Sequence, residues 1–151
     1  MNRAMQKNFY VFLFLIYFLV GCNKQMDLTM NNELIETDQA FSALCKEKGM
    51  NHAFLSYAAE DAVMLRPNSF PIVGREKVET LFHGDDTSLD FSWEPLFAAI
   101  ARSGELGYTY GTYELFAGDT KQVGTYVSIW QKNDYGEWKF VLDSGNEGLN
   151  K

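Results

Sequence analysis

From Ser88 to Asp143 the hydrophobic pattern has a period of two, and turn signals divide it into four runs. No other feature restricts the fold as much, because runs joined by short turns must pair antiparallel and bury one face. The first run alternates Leu89, Phe91 and Trp93 with Asp90, Ser92 and Glu94. Pro95 interrupts it, which predicts an edge strand or a bulge, and the run resumes as Leu96 to Ala101. Arg102-Ser103-Gly104-Glu105 reads as a turn into the second run, Leu106 to Phe116, whose internal glycines suit a strongly curved sheet. Gly118-Asp119 then leads into a hairpin from Val123 to Asp143, closed by Asn133-Asp134-Tyr135-Gly136. Alternation puts Tyr126, Ser128 and Trp130 on one face of that hairpin's first strand, with Thr125, Val127, Ile129 and Gln131 on the other. On the second strand it groups Trp138, Phe140 and Leu142, with Lys139, Val141 and Asp143 opposite. Neither face is wholly polar, so the hairpin is expected inside a curved sheet covered on one side, with a partly polar hollow within reach of Asp143.

The residues before Ser88 read mainly as helices. Leu34, Ala40, Phe41, Leu44 and Cys45 recur near helical spacing between Glu33 and Lys48, and Gly49 is placed to terminate that helix. A second, shorter helix is predicted from about Asn51 to Ala59, followed by a turn at Glu60-Asp61 and a short strand, Ala62 to Arg66, ended by Pro67. A third helix is predicted from Arg75 to Phe82, burying Val78, Leu81 and Phe82. Helices grouped ahead of a run of strands indicate an α+β fold: about three helices against four main antiparallel strands and a short one, around a central pocket.

The N-terminus reads as a targeting segment. Arg3 and Lys7 precede twelve apolar residues, Phe9 to Val20. At about 1.5 Å each these span about 18 Å of helix, short of the roughly 30 Å hydrocarbon core, so a cleaved signal fits better than a transmembrane anchor. Leu19-Val20-Gly21-Cys22 resembles the bacterial lipobox, which implies cleavage before Cys22 and its lipidation. The expected organisation is a signal peptide over 1–21, a tether over 22–32 and one domain over 33–147. The expected location is the bacterial cell envelope, where Asn23 in place of aspartate points to the outer rather than the inner membrane.

The whole chain carries 13 basic and 20 acidic residues, net −7. The first 21 residues hold two of the bases and no acid, so the remainder stands at −9. That argues against a nucleic-acid partner, and against an electrostatic grip on anionic lipid, leaving acyl chains on Cys22 as the membrane attachment. Once Cys22 is lipidated only Cys45 remains, so no internal disulfide is available. Cys45 lies on an apolar helix face and reads as a packed thiol. His52 and His83 fit no metal motif, and His83-Gly-Asp-Asp86 reads as a solvated acidic loop rather than a cation site. No metal and no cofactor is expected.

Six stretches in order resemble one family: Asp38-Gln-Ala-Phe41, Glu47-Lys-Gly49, Tyr57 to Met64, Ile72-Val-Gly-Arg-Glu76, Ser103 to Thr109 and Trp138 to Asn146. Together they are similar to the DUF4440 branch of the NTF2-like (SnoaL-like) superfamily. The resemblance implies a cone-shaped α+β barrel with a pocket inside it, and a homodimer formed through the outer face of the sheet. The superfamily also contains isomerases, epoxide hydrolases and cyclases, so the fold does not settle function. A ketosteroid-isomerase-like site would need a carboxylate base together with an oxyanion-stabilising acid and tyrosine. An epoxide hydrolase would need a buried Asp-Arg-Asp set, and Arg66, Arg75 and Arg102 form no convincing version of it.

Two readings of the chemistry follow. In the first, the domain binds a small apolar or amphipathic molecule, or serves structurally, without catalysis. Its expected pocket residues are Tyr57, Trp93, Tyr110, Tyr126, Ser128, Trp130 and Asp143, aromatics with polar tips around a few polar groups. In the second, the domain is a small-molecule isomerase, lyase or hydrolase with Asp143 as general base and Tyr57, or another tyrosine of the cavity, as donor. Asp143 also admits a plainer role, satisfying backbone amides in a Ser144-Gly145-Asn146 turn. Asp38 reads as a solvated or capping residue.

Overall fold

The computed structural model describes residues 31–148. The expected signal peptide, most of the tether and the Cys22 lipidation site lie outside the described residues. No helix among those described is long and apolar enough to cross a membrane.

Helix α1 covers residues 31–48. Leu34, Asp38, Phe41 and Cys45, spaced four, three and four apart, form its buried stripe. Gly49, at φ 87°, ends α1, with its amide bonded to the Cys45 carbonyl, and leads directly into α2, Met50–Tyr57. A side chain at Gly49 would meet the Asp86 carboxylate, which accepts a 2.7 Å hydrogen bond from the Asn51 amide. The acidic loop is therefore partly structural: Asp86 caps α2 from a distance of 35 residues in sequence.

The helix expected to run to Ala59 stops at Tyr57, and strand β1 occupies Ala58–Leu65. Ala-Ala-Glu favours helix locally, but the backbone here pairs in parallel with β6, Trp138–Glu147, and that ladder outweighs propensity. The predicted turn at Glu60-Asp61 is an irregular stretch of the same strand, where register shifts between Ala58 and Val63. Ile72–Val73 forms a two-residue strand, β2, antiparallel to β1. Helix α3, Arg75–Leu81, buries Val78 and is followed by buried Phe82, whereas Leu81 is 40% exposed, contrary to its expected burial.

Strands β3 (Leu89–Ile100), β4 (Leu106–Ala117) and β5 (Thr120–Lys132) complete a six-stranded sheet in the order β2-β1-β6-β5-β4-β3. The expected antiparallel meander is present, but the sheet is mixed and has two further strands rather than one. Strand β3 is an edge, and register shifts between Pro95 and Phe97, so both consequences expected of Pro95 occur. Phe41 of α1 lies 4.6 Å from the Trp93 ring on β3 and 6.0 Å from Phe140 on β6. Those strands are three spacings apart, roughly 14 Å in a flat sheet. One phenylalanine reaches both because the sheet is concave towards the helices.

Candidate functional site

The hollow inside this curve measures about 140 Å³. Its wall is built on the inward faces of β3, β4, β5 and β6. Trp93, Tyr113, Tyr126, Ser128 and Asp143 line it together with Phe41 and Phe54 from the helices, and Arg66 and Glu147 also face it. Room for the hollow comes from glycines set opposite aromatics. Tyr126 pairs across the sheet with Gly111 and Gly145, and Tyr113 pairs with Gly124. A Cβ on Gly124 would come within 2.5 Å of the Tyr113 ring, so the rings lie over bare backbone.

Asp143 is the polar centre of this wall, and it reaches it through an irregularity. Trp130 pairs with Phe140, but the next pair is Ile129 with Leu142, leaving Val141 as an extra, unpaired residue. A bulge of one residue reverses the alternation beyond it. Trp138 and Phe140 therefore point inward, Leu142 joins Ile129 on the outer face, and Asp143 lies opposite Ser128 on the inner one. This corrects the grouping of Leu142 with Phe140. It also removes the plainer role for Asp143, since Ser144, Gly145 and Asn146 continue the strand rather than turn.

The Ser128 hydroxyl donates to Asp143 Oδ2 at 2.7 Å, and among the described residues no other group hydrogen-bonds that carboxylate. Burial pushes the Asp143 pKa up to about 6, with Asp38 adding to the rise; the Ser128 hydrogen bond and the Arg66 charge act against it. Arg66, just beyond β1, makes no ion pair among the described residues, and its guanidinium sits 5.7 Å over the Phe82 ring.

Beneath the wall lies a second carboxylate. Asp38 has no exposed surface. Its Oδ1 accepts from Trp93 Nε1 and its Oδ2 from the Tyr126 hydroxyl, both at 2.7 Å. Burial raises its pKa, and the hydrogen bonds from Tyr126, Trp93 and Thr109 hold it partway back. Burial, followed by the charge and hydrogen bond of Asp38, pushes the Tyr126 hydroxyl well above the ordinary tyrosine range. Asp38 is thus neither solvated nor a cap, but the residue that positions two walls of the hollow. Its place on the stripe Leu34-Asp38-Phe41-Cys45 was the signal available in the sequence.

Of the expected pocket residues, Trp93, Tyr126, Ser128 and Asp143 come together, and three others do not. Trp130 is wholly buried beside the hollow, its indole N–H donating to Thr109 Oγ1 at 2.9 Å. Tyr57 packs half-buried against Phe41 and Trp130 and does not line the hollow. Tyr110 is 45% exposed on the outer face, stacked on Phe97, because it alternates with the inward Thr109 and Gly111. Sequence reasoning did not single out Tyr113 or Glu147, and considered Arg66 only as part of a triad. No cluster of potential metal ligands occurs among the described residues.

No protein-family model matches the chain, and no curated protein matches it in sequence. Solved structures do match in three dimensions. An NTF2-like protein of unknown function from Pseudomonas putida superposes with a TM-score of 0.65 at 11% identity, over 82% of this chain and 89% of that one. The fold is NTF2-like. A ketosteroid isomerase-like protein from Erwinia carotovora atroseptica gives a TM-score of 0.61 at 14% identity, over 79% of this chain and 99% of that one. An LEH-like epoxide hydrolase of M. tuberculosis gives 0.57 at 15%, over 78% and 84%. At these identities the likeness extends to the NTF2-like fold and not to a shared reaction.

Proposed function

We propose that this chain is a small-molecule-binding domain, of the DUF4440-like branch, held at the bacterial cell envelope by lipid on Cys22. The observation that carries the binding reading is the Asp143–Ser128 pair, turned by the Val141 bulge into a hollow with aromatic walls. A few polar groups converging in a mostly apolar concavity are the usual makeup of a ligand site. Isotope-edited NMR of the full chain in nanodiscs, screened against small amphipathic molecules, should shift the amides of Ser128, Asp143 and Gly145. Steady conversion of any such molecule, abolished by Asp143→Asn, would overturn the non-catalytic reading.

That alternative, a proton-transfer enzyme with Asp143 as base, is favoured by the placement of this carboxyl in the hollow, where burial raises its pKa to about 6. Against it stands the state of the other acid. Asp38 accepts from both Tyr126 and Trp93, so neither Asp38 nor the Tyr126 hydroxyl is free to donate to a developing oxyanion. The structures resembling an isomerase and an epoxide hydrolase motivate testing such substrates first.

Attachment at Cys22 rests on the lipobox-like junction and on about 0.8 kcal/mol per buried methylene, which makes several acyl chains a near-permanent anchor. Labelled fatty acid should mark the wild type and not Cys22→Ser. Residence in the outer membrane is inferred from Asn23 and is checked by membrane fractionation. A homodimer through the outer sheet face is supported by exposed Phe97, Tyr108 and Tyr110, with both tyrosine rings set beside that of Phe97. Tyr110→Glu should shift a dimer to monomer in analytical ultracentrifugation.

A further inference from the structure

We propose that the ligand of the hollow is a small organic cation, an amine whose ammonium group meets Asp143 and whose apolar body lies among Phe54, Phe91, Trp93 and Tyr126. The inference rests on the binding reading and names the chemical class it selects.

Three features of the hollow carry it. The first is charge. Two carboxylates, Asp143 and Glu147, face the cavity against one guanidinium, Arg66, and Asp38 lies directly behind the Trp93 and Tyr126 wall. The second is spare acceptor capacity that opens to the hollow. An ionised carboxylate offers about four lone-pair sites. Asp143 receives one neutral hydroxyl, and Arg66, exposed and set over the Phe82 ring, forms no ion pair with it. An ammonium supplies both the charge and further donors. The third is the wall, whose aromatic faces attract a desolvated cation and repel an anion. A carboxylate ligand would gain only Arg66, and would meet Asp143 and Glu147 at the same time.

The charged or titratable groups facing Asp143 are Arg66 after β1, Asp38 on α1, Tyr113 on β4, Tyr126 on β5 and Glu147 on β6. Among them Asp143 is the one with a pKa raised to about 6, so its charge is mostly lost at pH 5. Amine affinity should therefore be about tenfold weaker at pH 5 than at pH 7.5.

The test uses three probes of one shape: phenethylamine, 2-phenylethanol and phenylacetate. Each is titrated by tryptophan fluorescence into the full chain in phosphatidylcholine nanodiscs, with empty discs subtracted. Phenethylamine should bind about tenfold or more tighter than phenylacetate at pH 7.5, and Asp143→Asn should remove that preference. The asparagine still accepts from Ser128, so the variant keeps the wall, and Arg66→Ala should strengthen the amine further. Phenylacetate binding as tightly as the amine, or a preference unchanged in Asp143→Asn, overturns the cation inference and leaves a pocket of another class. No response to any of the three at about 10 mM overturns the binding reading as well.

Discussion

Asp143 carries a stability cost that can be measured without knowing any ligand. Burial raises its folded pKa to about 6, against an ordinary aspartate value of about 3.9. At about 1.4 kcal/mol per unit the ionised carboxylate opposes folding by at most about 3 kcal/mol. The side chain is only part-buried at the cavity, so solvent screening reduces this to about 1–2 kcal/mol. Asp143→Asn removes the charge and keeps an acceptor for the Ser128 hydroxyl. The variant should therefore be more stable than the wild type at pH 8, by about 4–8 °C in Tm for a domain of this size. The sign follows from a folded pKa above the unfolded one. For a carboxyl, such a shift favours the folded state when protonated, so the variant's advantage is full above pH 6 and disappears as pH falls from about 6 to about 4. Thermal melts of both proteins from pH 4 to pH 8 measure it directly. A variant less stable at pH 8, or a difference independent of pH, would show that Asp143 is not the desolvated group described here.

Three further outcomes follow from the same geometry. Asp38→Ala leaves the Trp93 indole and Tyr126 hydroxyl without their acceptor and should cost about 2–4 kcal/mol in urea unfolding, with altered tryptophan emission. Gly124→Ala would drive a methyl group into the Tyr113 ring and the Asn146 carbonyl, and should destabilise by about 2 kcal/mol or more and disturb the Tyr113 ring resonances in NMR. Burial, with Asp86 and Asp90 nearby, pushes the Cys45 thiol up to about 12, so Ellman's reagent should react with it only on unfolding.

Much of the scaffold was legible in the sequence. Leu34, Phe41 and Cys45 on the buried face of α1 (though not Ala40, which is exposed), the stop at Gly49, the four main strands and the irregularity at Pro95 all rest on local pattern, which depends only on neighbours in the chain. Less of the pocket was legible. Trp93, Tyr126 and Ser128 face the hollow, as alternation along their stretches of strand predicts. Tyr110 was misassigned because it sits among inward and outward residues of the same aromatic and polar types, and only pairing distinguishes them. Asp38 was misread because a charge on an apolar stripe looks solvated until its donors, 55 and 88 residues away, are seen.

The sequence by itself determined that helices precede an antiparallel meander, and that an aromatic, partly polar face closes around a hollow. Tertiary structure alone decided that the strand expected at Ala62 begins at Ala58, since the ladder holding those residues lies on β6. It alone decided which way Asp143 points. A bulge is a property of two strands in register, not of either strand's sequence, and the single extra residue at Val141 turns a carboxylate from the outer face to the inner one.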